Sequence, residues 1–239
     1  MSSPWRKLPD FVIIGAQKSG TSSMYYYLSQ HPDVSLSFEK EIHYYNYYID
    51  HGKSLGWYKS FFPLKSSPKI TGEASPNYLY AKLAAQKLKL DVPEVKLIVL
   101  LRNPIDRAYS EYNMHVRQSG KAHFPTFEEA IANEDYTMEV SRVYLSRGIY
   151  TYFIKQWLEY FDRDRFLFVK SEDLFQKPRE TLATVYEFLC LDQVYPDNLN
   201  PQEAGEYSRL AENTRTTLEE YFRAPNEELA NLAGECFRW

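Results

Sequence analysis

Cysteine is scarce in this chain: Cys190 and Cys236 are the only two among 239 residues. Neither stands in a Cys-x-x-Cys pattern, and two isolated thiols make no disulfide framework. They are expected to be buried and inert. Long hydrophobic runs are missing as well. The run Phe11–Ala16 is too short for the core of a signal peptide and far too short to cross a bilayer. The expectation is a soluble, cytoplasmic protein with no membrane span. Positive charge is not in excess either. The 28 Lys and Arg against 32 Asp and Glu leave a net charge of −4, which argues against a nucleic acid or a strongly anionic polymer as partner. There is no internal repeat and no low-complexity tract.

The composition that remains is that of a globular enzyme-sized domain. Hydrophobic residues make up 44% and charged residues 25%, enough for one large α/β domain with a sizeable core. Phe11-Val12-Ile13-Ile14 is apolar and β-branched, and predicts a buried parallel strand. It stops at Gly15, and Thr21–Gln30 predicts a helix ended by His31-Pro32-Asp33. Lys96–Leu101 predicts a second buried strand. Pro104 then opens a helix to about Gln118, closed by Ser119-Gly120. Arg165–Val169 predicts a third strand, and a further short one is expected near Ile70. Helices are expected over Asn77–Leu90, Phe127–Asn133, Gly148–Tyr160 and Pro178–Leu189. Two more are expected between Glu212 and Leu232, split at Ala224-Pro225-Asn226. Apolar strands alternating with helices imply an α/β fold, a single domain over residues 1–239 with a central parallel sheet flanked by helices. Asp192–Arg209, rich in Pro, Asn, Gln and Gly, reads as a long loop of the kind that often carries function.

Ligands of such sheets bind beyond the carboxyl ends of the strands. Gly15-Ala16-Gln17-Lys18-Ser19-Gly20-Thr21 lies there and opens a helix, whose N-terminus presents unpaired N–H groups and a positive dipole end. Gly15 and Gly20 share the spacing of the two glycines in the nucleotide-triphosphate loop G-x-x-x-x-G-K-[ST]. The lysine has moved back into the loop as Lys18, and position 21 is Thr. The side-chain order therefore differs from the one that binds a triphosphate with Mg²⁺. It implies an anion needing no metal, with Thr21 and Ser22 adding hydroxyl donors. Arg102 follows the second strand, and Ser110 stands about two helical turns further on. A guanidinium fork with a hydroxyl suits a phosphate monoester. Two anion sites on one sheet edge fit a nucleotide phosphorylated at two separate places.

These residues carry a family resemblance. The chain resembles the sulfotransferases that use 3′-phosphoadenosine 5′-phosphosulfate (PAPS), in the branch of the heparan sulfate sulfotransferases and their bacterial relatives. Residues Phe11–Thr21 resemble that family's 5′-phosphosulfate loop, a P-loop-like segment. His31-Pro32-Asp33-Val34, Lys40-Glu41-Ile42-His43-Tyr44-Tyr45 and Glu73-Ala74-Ser75-Pro76-Asn77-Tyr78 resemble its next blocks. Leu101–Ser110 resembles the 3′-phosphate block, and Gly148-Ile149-Tyr150 and Tyr221–Asn226 resemble later ones. Two departures stand out. Ala74 takes the place of a frequent lysine, and Gly205-Glu206-Tyr207-Ser208-Arg209 has an acid where the family's nucleotide-covering loop often has a base.

The resemblance implies PAPS as co-substrate, no metal, and a hydroxyl-bearing acceptor on a glycan, a lipid or a small natural product. The donor would be held by Gln17, Lys18, Ser19, Gly20, Thr21, Ser22, Arg102, Ser110, Tyr150 and Arg209. Lys18 would serve the leaving phosphate. The resemblance assigns the base to Glu41; Glu73 is the runner-up, since it too is expected to follow a short strand, the one near Ile70. A carboxylate needs burial or a partner to be a useful base at neutral pH, and Tyr44 and Tyr45 are expected to supply burial. His43 is expected to share a face with Glu41 in an extended segment and to orient it or the acceptor, and Lys40 to contact the sulfate. Asp106 and Arg107 are expected to cap and pair on their own helix. The tyrosine clusters Tyr25–Tyr27 and Tyr44–Tyr48 read as packing before they read as an acceptor pocket. Two other functions stay open: a P-loop-type kinase or hydrolase, which predicts a lysine at position 21 and a metal-binding carboxylate at a strand end, and a non-catalytic nucleotide-binding module.

Overall fold

Phe11–Gly15 forms β1, and every residue in it is buried. An apolar run without alternation is what a strand covered on both faces requires. Val34–Leu36 (β2), Ile70–Ala74 (β3), Lys96–Leu101 (β4) and Phe166–Lys170 (β5) complete a five-stranded sheet in the order β2-β3-β1-β4-β5. β1 is parallel to β3 and β4, with Ile13 opposite both Ala74 and Ile98. β2 is parallel to β3. The carboxyl ends of β1, β3 and β4 therefore share one edge. The computed structural model describes residues 5–65, 69–119, 124–134, 143–202, 205 and 208–239.

The helices are Thr21–Ser29 (α1), Leu55–Lys59 (α2), Ala84–Asp91 (α3), Pro104–Ser119 (α4), Phe127–Ala132 (α5), Tyr150–Leu158 (α6), Ser171–Gln176 (α7), Pro178–Leu189 (α8) and Glu212–Ala233 (α9). The chain groups into two compact units, residues 1–100 with 154–203, and residues 101–153 with 204–239. The first is built on the sheet, and its core joins Phe11, Ile13, Met24, Ile98, Leu182 and Val185. The second is helical, with a core of Ile105, Ala108, Tyr112, Phe127, Leu218 and Phe222. Each such side chain, once buried, contributes about 1.5–3 kcal/mol.

The structure differs from the sequence reading at several points. Glu212–Ala233 is one helix running through Pro225. Pro inside a helix costs about 3 kcal/mol, but Leu218, Phe222, Asn226, Leu229 and Ala230 are all buried along one face. Burial on both sides of the proline outweighs the lost hydrogen bond. Asn77–Leu90 is split into a 3₁₀ turn, Pro76–Tyr80, and α3, because Ala81 is extended. Gly148 belongs to a separate 3₁₀ turn ahead of α6. β2, α2 and α7 are too short to show a period. Both cysteines are exposed rather than buried; Cys190 caps α8 in the left-handed conformation, which turns it out of the core. The segment from Asp192 to Arg209 is without helix or strand at its described residues.

Candidate active site

The loop after β1 is shaped by close approach. A Cβ on Gly15 would sit 2.7 Å from Cβ of Leu79, and one on Gly20 would sit 2.9 Å from the ring of Phe175. Gly20 also has φ 88°, as the residue before α1, and supplies no side-chain cap. Lys18 is left-handed too, at φ 70°. Left-handed residues stand on either side of Ser19, whose own N–H donates to the Ala16 carbonyl at 3.2 Å, and the uncapped start of α1 offers N–H groups and a dipole suited to an anion. Ser19 is fully buried, and its Oγ has no hydrogen-bond partner among the described residues. Such a group normally costs about 1–3 kcal/mol, which an incoming oxyanion would recover. Thr21 is buried, while Gln17, Lys18 and Ser22 are half-buried. The loop is tied to the neighbouring strand by Ala16 N–H donating to the Leu100 carbonyl at 2.7 Å.

The segment Lys40–His43 lies at the same edge. Glu41 N–H donates to the carbonyl of Ala74, the last residue of β3, at 2.8 Å. His43 N–H donates to Ser75 Oγ at 3.3 Å. Glu41 and His43 are left-handed, at φ 61° and 55°, so the segment is not the extended one expected. Their side chains still meet, with His43 Nε2 3.5 Å from Glu41 Oε2. Lys40 Nζ also pairs with Glu41 Oε1. The hydrogen bond from His43, with help from Lys40, holds the Glu41 carboxyl down at about 2. Glu41 in turn raises His43. The other ring nitrogen, Nδ1, is 3.2 Å from Asn46 Oδ1. Both nitrogens thus face oxygens, an arrangement that the doubly protonated ring satisfies best.

Tyr44 and Tyr45 are themselves buried and pack on Tyr58 and Tyr78, the tyrosines that hold Glu73. Tyr44 stacks on Tyr58 at 4.7 Å, and Tyr45 meets Tyr58 and Tyr78 edge-on. Glu73 lies within β3 rather than after it, and is fully buried. Its oxygens accept hydrogen bonds from Tyr58 at 2.5 Å, Tyr78 at 3.1 Å and Ser75 at 2.8 Å. Burial raises its pKa in spite of these donors.

The second unit holds the other predicted residues. Arg102 directly follows β4 and is half-buried, and Ser110 is buried within α4. Tyr150 Oη donates to the Arg102 carbonyl at 2.8 Å. Arg209 is exposed, and Glu206 and Tyr207 lie outside the described residues. Asp106 pairs with Arg215 of α9 at 2.6 Å, while Arg107 pairs with Glu111 on its own helix. Among the described residues, no cluster of His, Cys, Asp and Glu is suited to a metal, and no helix is long and apolar enough to cross a membrane.

Sequence reasoning missed Asn46 and Ser75 as participants. Ser75 stands within Glu73–Tyr78, two residues after Glu73, and its hydroxyl was the available signal. Asn46 sits within a run of tyrosines and offered none.

Comparison with known proteins places this geometry. The chain is 27% identical to human heparan sulfate glucosamine 3-O-sulfotransferase 6 over 261 aligned positions, covering 98% of this chain and 74% of that protein. It is 31% identical to human heparan sulfate glucosamine 3-O-sulfotransferase 3B1 over 194 positions, covering 80% of this chain and about half of that protein, 48%. Its structure matches the crystal structure of a sulfotransferase from Alicyclobacillus acidocaldarius with a TM-score of 0.84 at 26% identity, covering 98% of this chain and all of the other. The family model of the sulfotransferase domain matches residues 8–218, and the chain is a sulfotransferase of that family.

Proposed function

We propose that this sulfotransferase takes its sulfuryl group from PAPS and delivers it to an acceptor hydroxyl without a metal. The observation that carries the reading is the loop after β1. It combines two left-handed residues, an uncapped helix start and a buried, unpartnered Ser19 hydroxyl, which together suit a multiply charged anion. When bound, the donor supplies a sulfuryl group on a phosphate leaving group.

Lys18 neutralises the charge that builds on the departing 5′-phosphate, and Gln17, Ser19, Gly20, Thr21 and Ser22 hold it in place. Arg102 and Ser110 take the 3′-phosphate, with Tyr150 and Arg209 completing the nucleotide site. Glu41 takes the proton of the acceptor hydroxyl. As this proton leaves, the acceptor oxygen bonds to sulfur and the sulfur–oxygen bond to the 5′-phosphate breaks in line. Positioning and electrostatics provide most of the acceleration in such transfers.

His43 sets the proton affinity of Glu41. While the ring is protonated, its hydrogen bond keeps Glu41 at about 2, a weak proton acceptor. Loss of the His43 proton releases Glu41 toward the ordinary carboxylate value and strengthens it as a base. Glu41 is favoured over Glu73 by access, since its side chain is 38% exposed and Glu73 is fully enclosed.

The test is isothermal titration with 3′-phosphoadenosine 5′-phosphate (PAP), with and without EDTA. Binding unchanged by EDTA, and tighter than that of ATP by at least about tenfold, is expected. Strict dependence on Mg²⁺, or a preference for ATP, would contradict the reading.

A further inference from the structure

The second unit contains a buried ionic cluster with no part in the chemistry so far. Glu111 of α4 is fully buried and accepts from two arginines, Arg107 one turn earlier on the same helix and Arg147 from the 3₁₀ turn Ser146–Gly148, both at 2.6 Å. Arg107 also donates to the Tyr144 carbonyl. Three residues after Arg147, Tyr150 donates to the Arg102 carbonyl at 2.8 Å. One short segment, Arg147–Tyr150, thus grips α4 at two points, the carbonyl just before the helix and the carboxylate of Glu111. Arg102 is itself the first of those points, and Ser110 immediately precedes the second, Glu111. Close packing fixes the segment against the helix, because a Cβ on Gly148 would sit 2.8 Å from Pro104 and 2.9 Å from Phe222.

A buried ion pair is weak evidence for stability, since desolvation offsets most of its attraction. Its value here is geometric. A guanidinium fork and a hydroxyl select a phosphate only when held to within about 0.5 Å. Resting on the reading that Arg102 and Ser110 take the 3′-phosphate, we infer that Arg147 is a positioning residue for that site. Through Glu111 it fixes the second turn of α4, and through the segment it shares with Tyr150 it fixes the backbone of Arg102. The clamp makes the site selective for a nucleotide carrying a 3′-phosphate.

The experiment compares the affinities of PAP and adenosine 5′-phosphate for the full chain by isothermal titration, with thermal melting on the same samples. The variants are Arg147→Met and Tyr150→Phe. The second keeps the buried ring and removes one hydrogen bond, so it serves if Arg147→Met fails to fold. Wild type is expected to prefer PAP. Arg147→Met is expected to lose about tenfold or more of that preference with adenosine 5′-phosphate bound nearly as before, and Tyr150→Phe is expected to lower the ratio of PAP to adenosine 5′-phosphate affinity about threefold. Variants that melt earlier but keep the wild-type ratio of affinities would overturn the inference and leave a purely structural cluster. If wild type itself shows no preference, the assignment of Arg102 and Ser110 fails first, which separates the two failures.

Discussion

Glu41 and Glu73 lie at the same edge of the same sheet and live under opposite conditions. Glu41 is partly open to solvent and held low by a histidine and a lysine. Glu73 is sealed among three hydroxyls and pushed up by burial. Backbone hydrogen bonds explain how they come to be near each other: Glu41 bonds to Ala74, the residue next to Glu73. The contrast separates two uses of a carboxylate. One is exposed enough to meet a substrate, with a titratable partner that sets its basicity. The other organises tyrosines and a serine, and through Ser75 it supports the backbone of His43. A shifted pKa alone would point away from the proposed base, because the group that burial raises is the enclosed one.

The largest effect expected from this contrast is on folding. Glu73→Ala leaves the hydroxyls of Tyr58, Ser75 and Tyr78 without their shared acceptor in a closed site. It is expected to cost about 3 kcal/mol or more in chemical denaturation, whereas Glu41→Ala is expected to cost under about 1 kcal/mol. Equal losses would break the comparison. Tyr58→Phe removes one of the three donors to Glu73 and is expected to cost about 1–2 kcal/mol with transfer activity retained.

The pH dependences should also run in opposite directions. Glu73 has a raised folded value, so its contribution to stability is full below the ordinary carboxylate range and is lost as pH rises through the folded value. Glu41 has a lowered one, so its contribution is present above that range and is lost as pH falls toward about 2. Urea denaturation across pH 4 to 8 is expected to show a decline with rising pH in the wild type, and Glu73→Gln should remove it. A smaller effect concerns catalysis. His43 is raised, so the acid limb of kcat/KM is expected above the ordinary histidine value of about 6.5. In His43→Asn that limb should disappear from the neutral range and move toward the carboxylate range. A limb unmoved by His43→Asn would separate His43 from the control of Glu41.

Much of this arrangement was legible from residue types. The limits of β4, Lys96–Leu101, and of α8, Pro178–Leu189, and the start of α1 at Thr21 stand where the sequence reading put them. The glycine loop was legible because Gly15 and Gly20 bracket a lysine between a strand and a helix. What was not legible depends on contacts distant in the chain. Pro225 looked like a break because local propensity carries no information about a buried face that continues past it. The pairing of Glu41 with His43 was expected from extended geometry, yet two left-handed residues produce it. That Tyr44 and Tyr45 pack on Tyr58 and Tyr78 could not be read from the sequence, because tertiary packing brings those residues together.

The most direct test of the account is single-turnover sulfuryl transfer from labelled PAPS to a panel of hydroxyl acceptors, in EDTA, with wild type, Glu41→Gln and Glu73→Gln side by side and PAP affinity measured on each. The account predicts transfer by wild type, a loss of about 100-fold or more in Glu41→Gln with PAP affinity nearly unchanged, and retained transfer in folded Glu73→Gln. Transfer preserved in Glu41→Gln and abolished in folded Glu73→Gln would contradict it.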